Sequence, residues 1–459
     1  MTNDQSRRAF LKRSAALGLA GTAGSFVTTL AGIGEAAAAT ASDYKALVCV
    51  FLYGGNDYAN TLPPYDQASY DLYQAARSNL AHSRAALTAT ALTPAVALAG
   101  GRQYALAPTM ASLLPVFNAG KMAVVLNVGT LMQPTSKAQY TGNSVPLPPK
   151  LFSHNDQQSF WQASNPEGAT SGWGGRLGDL FQSGNGSATL TCINASGNAV
   201  FLTGKTAIQY SVSTSGPIAL LNNNSSLFGS TNAASTLRTL MAGTHANILE
   251  NEHARVTKRA LDTYAQVNGA LAGAPVGSFP LFPSGNSLAD QLKIVARLIS
   301  VSAELGAKRQ VFFVSLGGFD MHDALATQHP TQIGLLADAM KAFYDTTVAM
   351  GVSDKVTTFT GSDFGRTLQS NDDGSDHGWG SMHFVMGGAV NGRRFFGTPP
   401  AIGTNTSDDV GQGRLLPAIA VDQYASTLAS WFGVSGGDMT TVLPNMGNYN
   451  PSTWNLGFV

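Results

Sequence analysis

Residues 46–53, Ala-Leu-Val-Cys-Val-Phe-Leu-Tyr, run without a break into Gly54-Gly55-Asn56-Asp57. The run is continuously apolar and rich in β-branched and aromatic residues. A strand with one wet face alternates; a strand covered on both faces does not. The same style returns at Met122–Val128, Gln310–Leu316 and Lys355–Thr360. Helical patterns separate these runs, at about 109–118, 234–271, 287–305, 330–350 and 422–432. Buried strands alternating with helices predict an α/β protein of three layers around a mostly parallel sheet. Residues 184–230 depart from this style. They are rich in Ser, Thr, Asn and Gly with short β-like runs (189–194 and 208–212), which predicts a small β-rich insertion. Residues 133–149 read as a loop, with three prolines after Ser144.

Composition narrows the function. Only 12% of the 459 residues are charged, about half the usual share of roughly 25%. Hydrophobic residues make up 44%, enough to bury a core, so the chain is not disordered. Lys plus Arg and Asp plus Glu are 27 each, which excludes the net basic surface that a nucleic-acid binder needs. Mean hydropathy is near zero and argues against a multi-span membrane protein.

The first forty residues read as an address. Ser6-Arg7-Arg8-Ala9-Phe10-Leu11-Lys12 fits the twin-arginine export pattern, and a weakly apolar Ala/Gly/Thr stretch and small residues before Ser42 follow it. Residues 1–41 are therefore expected to be a signal handled by the twin-arginine translocase. Residues 42–459 would be the mature domain, periplasmic or extracellular, without a transmembrane segment. That domain keeps 23 bases and 25 acids and is slightly acidic. Its two cysteines, Cys49 and Cys192, lie in apolar runs and are expected to be buried free thiols.

Three of the buried runs end alike. Gly54-Gly55-Asn56-Asp57, Gly317-Gly318-Phe319-Asp320 and Gly361-Ser362-Asp363 each place glycine, then a carboxylate, at a strand's carboxyl end. In an open parallel sheet that edge is where ligands bind. Carboxylates brought together there repel unless a cation or protons neutralise them. Histidine joins them in Asp320-Met321-His322-Asp323 and Asp376-His377-Gly378. Mixed Asp and His ligands favour zinc, manganese or similar divalent ions, one or two of them. The expected ligand set is Asp57, Asp320, His322, Asp363, Asp376 and His377. His329 and His383 are open between ligand, support and core. His82, His245 and His253 lack such company and read as surface or helix-face residues. Arg366 and Arg176 suit the oxygens of an anionic ester, although Arg366 equally suits an ion pair that orders its loop and Arg176 equally suits tight packing in its glycine loop. Ser153-His154 opens a helical stretch and both are expected catalytic residues, with Ser153 either an N-cap or a nucleophile.

The stretches FLYGGNDYANTLPP (51–64), FSHNDQQSFWQ (152–162), SGWGGRLGD (171–179), SLGGFDMH (315–322), SDFGRT (362–367) and DHGWGSMHFVMGG (376–388) together resemble one family. It is the exported family numbered 1501 among the domains of unknown function. That family is similar to the alkaline phosphatase, sulfatase and phosphoglycerate mutase superfamily. The resemblance implies an alkaline phosphatase-like fold and a metal-dependent hydrolase of phosphate or sulfate esters. It also implies metal ligands at Asp57, Asp320, His322 and Asp363, and a nucleophile at Ser153. Phe364 stands where the superfamily pairs a His with Asp363. The final His is then His377, or Asp376-His377 is the pair and His383 the final one. The alternative function is a non-catalytic exported protein that binds a metal or a glycan, for which Trp161, Trp173 and Tyr210 supply aromatic faces. The expected substrate is a small anionic ester or a glycan.

Overall fold

A computed structural model of the chain describes residues 43–220 and 226–459. The twin-arginine signal expected over 1–41 lies outside the described residues. The apolar runs form strands β1 (Lys45–Leu52), β2 (Met122–Gly129), β6 (Arg309–Leu316) and β7 (Val356–Ser362). Shorter strands are β3 (Cys192–Asn194), β4 (Gln209–Ser213), β5 (Gly216–Pro217), β8 (Ser381–Gly387), β9 (Arg394–Phe396) and β10 (Ile419–Ala420). They form one ten-stranded sheet, ordered β10-β2-β8-β7-β1-β6-β3-β4-β5, with β9 also beside β2. β1 pairs in parallel with both β6 and β7, and β8 runs antiparallel between β7 and β2.

Side chains on β1 alternate between two cores, and this explains its lack of polar alternation. Ala46, Val48, Val50 and Leu52 pack with α1 (Gln67–Arg77), α6 (Ser287–Ser300) and α7 (Leu325–Ala349). Leu47, Cys49 and Phe51 pack with α2 (His154–Ala163), α3 (Trp173–Phe181) and α8 (Val421–Phe432). The expected three-layer α/β architecture with a mostly parallel sheet is present.

The Ser/Thr/Asn-rich stretch supplies β3, β4 and β5, which extend the main sheet past β6. The long helical pattern at 234–271 is two helices, α4 (Thr231–Ala242) and α5 (Ile248–Ala272). The Asn247 side chain caps α5, accepting from the backbone N–H groups of Leu249 and Glu250. Cys49 and Cys192 are free and buried. They lie on β1 and β3 with β6 between, about 10 Å apart at ordinary strand spacing and beyond disulfide reach. No described helix is long and apolar enough to cross a membrane.

Candidate metal centre

Because β7, β1 and β6 are parallel neighbours, their carboxyl ends share one edge, and the loop between β7 and β8 lies there too. The turn after β1 needs glycine. Gly54 has φ +113°, and a Cβ on it would lie 2.3 Å from the backbone nitrogen of Asp320. That close approach brings the β1 and β6 turns together. It also lets the Gly54 N–H donate to Asp363 Oδ2 at the end of β7, at 3.1 Å.

His154, the first residue of α2, reaches across this edge. Its Nδ1 lies 2.7 Å from Asp363 Oδ2. Gln158, one turn on along the same helix face, donates to the same oxygen at 2.8 Å. A carboxylate only accepts, so His154 carries a proton on Nδ1, and its Nε2 faces Asp320 Oδ2, 3.2 Å away. His377 is oriented in the same way. Its Nδ1 donates to the Phe152 carbonyl at 2.7 Å, and its Nε2 lies 3.2 Å from Asp320 Oδ1. His322 places Nδ1 3.3 Å from Asp376 Oδ1, and its Nε2 3.1 Å from Asp320 Oδ1 and 2.9 Å from His377 Nε2.

Three imidazoles therefore have Nδ1 engaged and Nε2 turned toward one carboxylate. Neutral Nε2 atoms and carboxylate oxygens are all acceptors, and acceptors at these distances repel. Something positive belongs among them: protons on the rings or a cation. Ligand atoms of His154, Asp320 and His377 lie within 4.8 Å of one another. Two buried atoms beside them, His154 Nε2 and Asp363 Oδ1, have no hydrogen-bond partner among the described residues. Imidazoles held through Nδ1 by a carboxylate or carbonyl are what a borderline divalent ion takes as ligands. The donor set fits such an ion.

The electrostatics are graded. The hydrogen bond to Asp363 raises the pKa of His154 against the opposing effect of burial. Burial lowers that of His377. Burial pushes the Asp320 carboxyl up, but the Arg366 hydrogen bond, with charge from His154, Arg366 and His322, outweighs it and the net shift is down.

The other expected residues lie elsewhere. Asp57 does not face the cluster: it caps the one-turn helix Tyr58–Thr61. Its carboxylate is forked by Arg77 of α1 at 2.6 and 2.5 Å, both side chains being buried. Ser153 is the N-cap residue of α2, and its hydroxyl donates to Asp156 at 3.0 Å, not into the cluster. Arg366 is wholly buried and donates to Asp320, Gly54 and Ser375, so it orders the loop and holds Asp320 instead of meeting a ligand. Arg176 donates to the carbonyls of Ala163, Ser171 and Val442. Ala163 is the far end of α2, about 14 Å along the helix from His154.

His329 and His383 are core residues. His329 Nε2 meets Asn56 Oδ1 at 3.2 Å, and His383 Nδ1 meets Thr360 Oγ1 at 3.3 Å. That leaves His377, not His383, as the last histidine of the cluster. Trp161 and Trp173 are buried and offer no open face. Sequence reasoning missed Gln158, which helical spacing from His154 would have found. It also missed Arg77, Arg414 (whose Nε donates to the His377 carbonyl at 2.7 Å) and the Phe152 carbonyl, which no local pattern marks.

No curated protein matches the chain. Among solved structures, the chain is similar to two crystal structures of Ps i-CgsB, one in complex with k-i-k-neocarrahexaose. Identity is 9%, with 89% of this chain and 78% of that one covered, and TM-scores are 0.34 and 0.35. A Bacteroides thetaiotaomicron structure, reported with the metabolism of multiple glycosaminoglycans, is similar at 9% identity, 85% and 73% coverage and a TM-score of 0.33. The family described as "Protein of unknown function (DUF1501)" matches residues 44–423, most of the chain, and the chain belongs to that family.

Proposed function

We propose that this chain is an exported hydrolase of phosphate or sulfate esters that works with a divalent cation such as zinc or manganese. One observation carries the reading: the Nε2 atoms of His154, His322 and His377 all turn to Asp320 while each Nδ1 is held from behind. His154, Asp320 and His377 would hold the ion, with His322 in reach. A bound cation would screen the ester's negative charge among these carboxylates and polarise the ester. The protein's own groups do the positioning. Asp363 and Gln158 fix His154, Phe152 fixes His377, and Arg366 fixes Asp320. His322 has a half-exposed side chain with Asp376 behind it, which holds its Nε2 toward Asp320 beside the ion's place. The test is elemental analysis of protein exported through its own signal, followed by a panel of phosphate and sulfate esters with and without chelator. Turnover that chelator abolishes and zinc or manganese restores supports the reading; an ion without turnover of any ester removes the hydrolase.

The second reading is a non-catalytic protein that binds a cation or a glycan on the same fold. It is favoured by Ser153, whose hydroxyl is committed to Asp156. Binding on a glycan array that survives chelation, without ester turnover, would select it.

A further inference from the structure

At the β5 edge of the sheet, α4 and α5 form a hairpin whose second helix keeps one side open. Positions 248, 252, 255, 256 and 259 of α5 follow i, i+4, i+7, i+8 and i+11 and so share a face. Ala254 and Thr257, on the other side, are buried. On the open face Ile248 is 82% exposed and Val256 42%, with Leu249 beside them at 77%. Single exposed aliphatic residues are ordinary, but three along one helix face call for a partner.

The charges on this helix say which partner. On this face Glu252 comes first, then Arg255 and Arg259, with Lys258 at its margin. Acid followed by base along one helix is self-complementary when a second copy lies antiparallel. With a two-fold axis near residue 254, Glu252 of each copy meets Arg255 of the other. Ile248 and Leu249 then rest on the aliphatic stems of Lys258 and Arg259. The present partners do not oppose this. Glu252–Arg255 at 2.7 Å and Lys258–Asp262 at 2.6 Å are exposed pairs within one helix, and such pairs contribute little.

We propose that this face of α5 is an isologous contact between two copies of the chain. Twelve helical residues span only about 18 Å. The contact is therefore smaller than the roughly 800 Å² per partner of a standard interface, and the dimer is a weak, salt-sensitive one.

Sedimentation equilibrium of the mature protein tests this across micromolar concentrations at low and high salt. A dimer whose dissociation constant rises with salt is expected. Glu252→Arg should weaken it about tenfold or more, since it sets like charges against each other. Glu252→Arg combined with Arg255→Glu restores the cross-copy pairing and should return the constant to near wild type. Both positions are exposed, so these variants fold. A monomer throughout, a dimer indifferent to Glu252→Arg, or co-sedimentation with neutral or anionic vesicles in place of self-association would each overturn the proposal.

Discussion

His154 takes its role from two neighbours. Asp363 behind it fixes the ring, and Asp320 in front gives Nε2 something to share. Asp363→Asn keeps the shape but weakens that hold. We expect the affinity for zinc to fall about 10- to 100-fold while the melting temperature changes little; unchanged affinity would remove Asp363 from the site. The same hydrogen bond raises the pKa of His154, so protons compete with the cation at higher pH than for an ordinary imidazole near 6.5. Zinc affinity should therefore fall steeply from neutral pH towards pH 5.5, as chelator competition would measure, and a flat profile would contradict the ligand assignment. Asp57 gives the contrasting case. It matched the strand-end pattern as well as Asp320 did, yet Arg77, twenty residues away, occupies its carboxylate. Asp57→Ala should destabilise by about 3–5 kcal/mol, because it leaves a buried guanidinium unpaired, while cation content is retained. Loss of the cation at full stability would reverse this reading.

The strands that frame the site were legible because their chemistry is one-dimensional. A run with no polar alternation is buried on both faces, and a Gly-Gly pair after it marks a turn that passes close to something. What it passes, the backbone of Asp320, is a fact of the third dimension. Gly54→Ala should cost about 2 kcal/mol or more, since alanine is strained at positive φ and its methyl meets that backbone. It should also displace Asp320 and so reduce cation content; a variant with wild-type melting temperature and cation content would contradict the account of this turn. α2 was half legible. Its start at Ser153-His154 was read, but which of the two side chains faces the site depends on helix phase against the sheet, and the helix turns His154 inward. The pattern at 234–271 reads as one helix because Gly243 to Asn247 breaks it with no proline; the break is a cap at Asn247.

Across the whole molecule, few charges are available and several are gathered at one edge: Asp320, Asp363, Asp376 and Arg366 lie within contact of the histidine cluster. Low charge content hinted at such concentration; its position required the parallel order β7-β1-β6. Two buried histidines contribute to the acid sensitivity of the fold. Burial lowers His329 to about 4 and His383 to about 3, so the folded protein keeps both neutral. The unfolded chain takes up those protons from about pH 6.5 downward. Stability from these two residues is thus intact above that pH and is lost as pH falls towards 4 and then 3. His383→Gln should flatten the acid side of a denaturation-against-pH curve, and an unshifted acid midpoint would contradict this. The central claim is the cation held by His154, Asp320 and His377. Its most direct measurement is the divalent-metal content of protein expressed from the full 459-residue chain, for wild type beside His154→Ala. We predict about one tightly held zinc or manganese ion, or two, in the wild type and its loss in the variant. Wild-type protein without such an ion, or a variant that keeps it, would contradict the account.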